Sequence, residues 1–368
     1  MTTSDFDSFR PPAPGGRRRR RRGGAGGGPG VAGRPGGADG SREMPMVPDA
    51  QFSSYYGRNV VKPPPWGHEI PAYLFLGGVA GGSGLIAAGA QFTRRPALRR
   101  NARLGAIAAI GLGSVALVKD LGRPERFLNM LRTVKVTSPM SIGSWILALY
   151  SAGAGATAAI EVDRLTGSRF PLGPLRKLIP AVEVGAGLWA AAFGPPLAAY
   201  TAVLLADTAN PMWNAAKDEL PFMFVGSAAL GAGGLAMITT PVAETGPART
   251  FAVLGAVAKV GASEVMKRRI DPTIAETLHH GGAGRMIKAS EILTVIGGLG
   301  ALLAGRHRAV AVASGLALVS ASALTRFGIF EAGIHSAKDP KYTIEPQKRR
   351  LAARRAAGVT DDSITTAG

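Results

Sequence analysis

The sequence predicts an all-α membrane protein, a polytopic helix bundle of about eight or nine spans. Hydrophobic residues make up 46% of the chain and charged residues only 18%, which is too apolar for an ordinary soluble domain. Glycine is abundant, at 51 residues, and small residues let helices approach closely in lipid. Apolar runs long enough to cross a bilayer core of about 30 Å recur along the chain.

The composition divides the chain into three parts. Residues 1–49 are rich in Gly, Pro and Arg, include the unbroken run Arg17–Arg22, and predict a disordered basic tail. Residues 50–336 form the predicted transmembrane domain, and residues 337–368 form a second basic tail, frayed or lying on the surface. The net charge of +19 indicates membrane topology and contact with anionic lipid. It indicates nucleic-acid binding only weakly, because no aromatic platform is interleaved with the tail arginines, and we expect no nucleic-acid partner.

The predicted spans follow the apolar runs in order. The first, Pro71–Gln91, carries a glycine-rich face suited to close helix packing. The later runs are Leu104–Val118, Gly143–Ile160, Leu178–Phe193, Leu197–Ala206, Pro221–Thr239, Ala248–Val265, Ile287–Ala304 and Ala309–Ile329. Gly194-Pro195-Pro196 interrupts the fourth run. We interpret this run as two helices with a tight break, with one kinked helix as the alternative.

Lys and Arg residues near the span ends bear on membrane orientation. With two helices in the interrupted run, Arg94–Arg103, Arg164–Lys177 and Lys267–Lys288 share one side, and Arg123–Lys135 lies on the other. The long basic tail favours a cytoplasmic start, whereas the segments near the spans favour the opposite. The orientation therefore stays open.

The segment between the second and third spans is dense in charge. Its apolar residues recur at near-helical spacing and predict a short interfacial helix, with Pro124 in the first turn. Ser138, followed by Pro, predicts a turn that begins the next span. Asp120, Arg123 and Glu125 form either an ion-pair network that fixes this segment or direct contacts with a ligand.

Ionisable residues within the spans each need a partner, water or a neutral state in lipid. Lys259 and Glu264 lie within two turns of one run and are expected to pair. Glu183 and Glu291 are either neutral acids in helix contacts or steps of a proton path.

His68 and Glu69 are two ionisable residues at the start of the first span. We treat them as functional candidates, because ionisable groups at a membrane span mark functional sites by default. None of the five histidines lies in the middle of a span, so we expect no haem with two axial histidines. The chain has no Cys, which excludes an iron–sulfur cluster held by its own thiolates. We find no spacing typical of a metal site, a phosphate-binding loop or a nucleophile elbow, and we assign no catalytic residue.

Four segments together resemble the NrfD/PsrC family, the membrane subunits of molybdopterin oxidoreductase complexes such as polysulfide reductase. The segments are IPAYLFLGGVAGGSG (Ile70–Gly84), DLGRPERFLNML (Asp120–Leu131), TSPMSIGSW (Thr137–Trp145) and YTAVLLADTANPMW (Tyr200–Trp213). The resemblance extends from about Ser54 to about His335. It leaves the arginine-rich tail and the last stretch of the chain outside.

The resemblance implies a multi-pass protein of the cell membrane that binds exchangeable menaquinone or ubiquinone near one membrane surface. It implies a four-cluster ferredoxin-like iron–sulfur partner on that surface and a molybdopterin catalytic subunit, as in formate dehydrogenase or polysulfide reductase. In the family, the quinone pocket uses a His at the start of the first span and a Tyr on a later one. His68 and Tyr200 match these positions. Relatives that have another residue in place of His68 keep the acid beside it. The resemblance therefore adds Glu69 to the candidate residues of the quinone site.

From this we expect His68 or Tyr200 to donate a hydrogen bond to a quinone carbonyl, and Glu69, Asp120 or Asp207 to relay a proton from water. Two other function classes stay open. An ion- or proton-translocating transporter would show an inverted repeat with paired broken helices, and the sequence has one clear break. A purely structural anchor would hold soluble subunits at the membrane without binding quinone.

Overall fold

Helices are the only regular elements in the residues that the computed structural model describes, 59–122 and 124–358. This confirms the predicted all-α bundle. In chain order the helices are α1 (Glu69–Phe92), α2 (Pro96–Asp120), α3 (Pro139–Leu165), α4 (Ile179–Ala206), α5 (Pro211–Ala215), α6 (Leu220–Thr239), α7 (Gly246–Arg269), α8 (Pro272–Ala275), α9 (Gly281–Leu303), α10 (Arg308–Lys338) and α11 (Lys341–Ala356). The predicted N-terminal tail and Arg123 lie outside the described residues.

Seven of the described helices are long and apolar enough to cross a membrane, and the chain is a multi-pass membrane protein. An eighth, α7, has 24 residues but ends in the charged run Lys267–Arg269. It nevertheless runs the full height of the bundle. Arg269 at its C-terminal end lies 3.1 Å from Glu219, next to the start of α6, and Arg95, after α1, donates to the Glu244 carbonyl just before α7. Eight long helices therefore extend from one end of the bundle to the other within the described part, and seven of them are membrane-span candidates.

The interrupted fourth run is one helix. α4 continues through Pro195 and Pro196, so the two-helix interpretation is wrong and the single-helix alternative is right. Proline is tolerated inside membrane helices because neighbouring helices and local adjustments satisfy the freed backbone groups. The topology changes accordingly, since one helix fewer moves Lys267–Lys288 away from the side of Arg94–Arg103.

Contacts join the start of α1 to the end of α2 and the start of α6 to the end of α7. Successive long helices therefore run in opposite directions, and their connections alternate between two ends of the bundle. We call the end that holds the N-terminus of α1 the His68 face. It also holds residues 121–122, 124–138, 207–219 and 270–280, together with α11. We call the opposite end the Arg95 face.

The central helix is α1, which packs against α2, α4, α6 and α10. Its predicted glycine face lies where these neighbours approach. A Cβ atom at Gly81 would lie 2.5 Å from the carbonyl oxygen of Gly194 in α4, and one at Gly82 would lie 2.6 Å from the Cβ of Ala232 in α6. The close packing expected of these small residues is confirmed.

We expect Gly81→Ala to lower the free energy of unfolding by about 1–3 kcal/mol, because the added methyl group meets backbone atoms that cannot move aside. Gly89→Ala is the matched control on the same helix, since a Cβ there meets nothing within 4 Å. That change should be neutral or slightly stabilising, because Ala favours helix more than Gly. Thermal unfolding of both variants in detergent, followed by circular dichroism, checks this. Equal melting temperatures would contradict the close crossing of α1 and α4.

A buried ion-pair cluster joins α2, α3 and α4 near the Arg95 face. The Nη1 atom of Arg103 lies 2.8 Å from Glu161 and 2.6 Å from Glu183. Arg99 lies 2.8 Å from Glu161, and Arg164 forms a hydrogen-bonded ion pair with Glu183. Of the two roles predicted for Glu183, the structure supports the helix contact. Glu183 makes this contact as a carboxylate paired with arginines, however, and not as a neutral acid.

The expected pair between Lys259 and Glu264 is wrong. Glu264 is exposed and lies 3.3 Å from Arg268, one turn along α7. The Nζ atom of Lys259 instead donates to the hydroxyls of Ser290 and Thr294 on α9. Residues five apart point to different faces of a helix, whereas residues four apart share one, and this explains the exchange of partners.

The C-terminal segment is ordered into α11, which lies on the His68 face and is not frayed over Lys341–Ala356. Lys341 lies 2.7 Å from Glu276, and Arg349 lies 3.0 Å from Asp271. The hydrogen bond between Lys341 and Glu276 holds the pKa of the carboxyl below its usual range and the pKa of the amine above it.

Candidate functional site

The N-terminus of α1 is joined to the C-terminus of α2 by two polar contacts. The Oε1 atom of Glu69 lies 3.0 Å from the Nζ atom of Lys119. The backbone N–H of Gly67 donates to Asp120 over 3.2 Å. The structure thus brings Glu69 and Asp120, and His68 between Gly67 and Glu69, to one corner of the bundle. The Glu69 side chain is 30% exposed, so its carboxylate can exchange a proton with water at the His68 face.

Two tyrosine hydroxyls meet one helical turn below Glu69. Tyr73 on α1 is buried and forms a hydrogen bond with Tyr200 on α4, which is half-buried. A Cβ atom at Gly143 would overlap the Tyr200 ring, so this glycine of the TSPMSIGSW segment makes room for it. One hydroxyl hydrogen joins the pair and the other stays free to be donated.

Aromatic rings flank the start of α1. His68 stacks on Phe327 of α10, with ring centroids 6.5 Å apart and planes 22° apart. Trp66 stacks on Trp213 at 5.9 Å, and Trp213 packs against Phe330 at 5.6 Å. A charged rim beside such rings is suited to a flat, partly polar ligand.

The YTAVLLADTANPMW segment positions Trp213. The side chain of Asn210 accepts a hydrogen bond from the Trp213 backbone N–H and donates to the carbonyl of Gly333 on α10 over 2.8 Å. Asp207 is exposed at the C-terminal end of α4. It lies about two turns beyond Tyr200, so the structure does not place it beside the tyrosine pair.

The segment at residues 121–138 contains the predicted short helix, as a 3-10 helix over Pro124–Leu131. Glu125 is exposed within it. Ser138 caps α3, since its side chain accepts from the Ser141 backbone N–H and Pro139 is the first helical residue. This confirms the predicted turn. The ion-pair network of Asp120, Arg123 and Glu125 stays a prediction, because Arg123 lies outside the described residues.

Three residues that contact the predicted site residues were not themselves predicted. Tyr73 follows Glu69 by four positions, and this helical spacing could have indicated it. Lys119 adjoins Asp120 in the charged segment. Phe327 carries no such signal, because only the folding of α10 against α1 brings it to His68.

Comparison with known proteins adds one family. The sequence model described as Polysulphide reductase, NrfD matches residues 58–258, which is more than half of the chain. The matched range includes His68, Glu69, Asp120 and Tyr200. A search of curated proteins found no match.

Proposed function

Because this chain belongs to the NrfD polysulphide reductase family, whose members are quinone-interacting membrane subunits of molybdopterin oxidoreductase complexes, we propose that it binds menaquinone or ubiquinone at the His68 end of α1. There it exchanges electrons between the quinone pool of the cell membrane and a four-cluster ferredoxin-like iron–sulfur subunit. That subunit connects to a molybdopterin catalytic subunit of the formate dehydrogenase or polysulfide reductase kind.

One observation supports this site above the others. A water-accessible acid, Glu69, lies one helical turn from the hydroxyl pair of Tyr73 and Tyr200, beside the ring of His68 and its aromatic neighbours. The corner therefore combines hydrogen-bond donors, a proton-exchanging group and apolar ring surfaces at one face of the membrane.

The residues present fit a quinone. When bound, the quinone supplies two-electron, two-proton redox chemistry. The imidazole of His68 and the free hydroxyl hydrogen of the tyrosine pair can each donate to a carbonyl oxygen. Glu69, a carboxylate paired with Lys119, can take up a proton from water and pass it inward, or accept one from inside and release it to water. The chain has no Cys, so a thiolate-bound iron–sulfur cluster that takes up the electrons belongs to a partner.

Purification of the chain from mildly solubilised native membranes, with mass spectrometry of subunits and lipids, tests the assignment. We expect an iron–sulfur protein, a molybdopterin subunit and bound quinone. The chain alone, free of quinone, would instead support the transporter alternative, and an intact complex without quinone would support a structural anchor.

Glu69→Gln tests the proton role. The variant should assemble normally, and quinone turnover should fall about tenfold or more, because the amide cannot exchange a proton. Asp218→Asn, which changes an exposed carboxylate on the same face, is the control and should match the wild type. Normal turnover in an assembled Glu69→Gln complex would exclude Glu69 as the relay.

A further inference from the structure

Lys259 is a buried cation that the proposed quinone site does not use. It lies on α7 within the second half of the bundle, formed by α6, α7, α9 and α10, and its relative exposure is 3%. No ion pair of Lys259 is present among the residues that the structure describes, since Glu264 pairs with Arg268 and Glu291 with Lys267. A charged group inside a membrane bundle is costly and marks a functional site by default.

The protein solvates the Lys259 amine with hydroxyl groups. Its Nζ atom donates to Ser290 Oγ over 2.7 Å, to Thr294 Oγ1 over 2.8 Å and, more weakly, to the Ser290 carbonyl over 3.3 Å. The hydroxyl hydrogen of Ser290 is directed to the carbonyl of Ala321, and that of Thr294 to the carbonyl of Ser290. Both hydroxyl oxygens therefore present lone pairs to Lys259, so the ammonium form can exist without a carboxylate.

A cavity of about 10 Å³ adjoins Lys259 and has room for about one water molecule. Its titratable lining groups are Lys259 and Lys267 from α7 and Glu291 from α9, whereas α6 and α10 contribute Met223, Thr325 and Ile329. Lys267 lies near the C-terminal end of α7, so the cavity leads from Lys259 toward the His68 face. Glu291 is the one carboxylate of this lining, and its side chain is 35% exposed.

We propose that Lys259 is a buried proton-exchange site that communicates with water at the His68 face through one water molecule and Glu291. On release, the proton passes from Nζ to the water, from the water to the Glu291 carboxylate, and from there to bulk water. Uptake is the reverse, and no bond other than those to hydrogen changes. Lys259 is then a group in the second half of the bundle whose charge can change while the helices stay packed. This proton exchange does not require a bound quinone.

The exchange can be followed in the full-length chain in lipid nanodiscs, with nitrogen-15 at the lysine Nζ atoms. The NMR signal missing from Lys259→Met, or from Lys259→Arg if the first variant does not fold, identifies Lys259. In the wild type we expect its hydrogens to exchange with water. In Glu291→Gln the exchange should be at least about tenfold slower, because the amide cannot relay a proton.

Glu264→Gln is the matched control, because it also removes one ion pair of this region but does not line the cavity. It should exchange at the wild-type rate. Equal exchange rates in Glu291→Gln and Glu264→Gln would overturn the relay. Complete protection of Lys259 from exchange would show a structural cation, and would leave the proposed quinone function unaffected.

Discussion

Replacing Arg103 with methionine should lower the free energy of unfolding by about 3–5 kcal/mol, one of the two largest effects that we expect. Arg103 is 2% exposed, and its guanidinium joins Glu161 on α3 to Glu183 on α4. Loss of the Arg103 guanidinium leaves the buried carboxylates of Glu161 and Glu183 with fewer positive charges to balance them. Denaturant or thermal unfolding of the purified chain in detergent measures the loss.

Arg100→Met, on the same helix, is the control. Arg100 donates one hydrogen bond, to the neighbouring Asn101, and its replacement should cost less than about 1 kcal/mol. If the two variants unfold alike, Arg99 and Arg164 compensate for Arg103, and the cluster does not hold α2, α3 and α4 together.

Tyr200→Phe should reduce quinone turnover in the assembled complex by about 10²-fold, because a hydrogen-bond donor at the reacting oxygen is lost. The ring still occupies the space left by Gly143, so the fold should not change. Tyr73→Phe removes the other hydroxyl of the pair. The two changes should combine less than additively, since the hydroxyls act as one unit. Steady-state kcat and KM for quinone separate the loss of chemistry from the loss of binding.

Tyr150→Phe is the control for this series. Tyr150 is also a buried tyrosine of the bundle, but its hydroxyl donates to the backbone carbonyl of Ala80 and not to another tyrosine. Turnover in Tyr150→Phe should stay near the wild-type value. A Tyr200→Phe complex as active as Tyr150→Phe would make the tyrosine pair a helix contact only, and would leave His68 and Glu69 to carry the proposed function.

Local signals predicted much of the fold. Apolar runs located the long helices, the Ser138 and Pro139 pair located the start of α3, and the glycine face of α1 located the close crossings. These features depend on residues within one or two turns of each other, and so they can be read from the chain directly. The His68 and Glu69 candidates were found in the same way, from ionisable groups at the mouth of a span.

Local sequence signals could not predict which side chains contact each other between different helices. The sequence alone determined an all-α membrane protein, its approximate spans, its lack of thiolate ligands and the family it resembles. Only the tertiary structure decided that α4 is one helix, that Tyr200 meets Tyr73 across 127 positions, and that Lys259 binds α9 rather than Glu264. The physical reason is that lipid leaves each helix several apolar faces of similar energy, so the fit of small residues between helices selects which side chains meet.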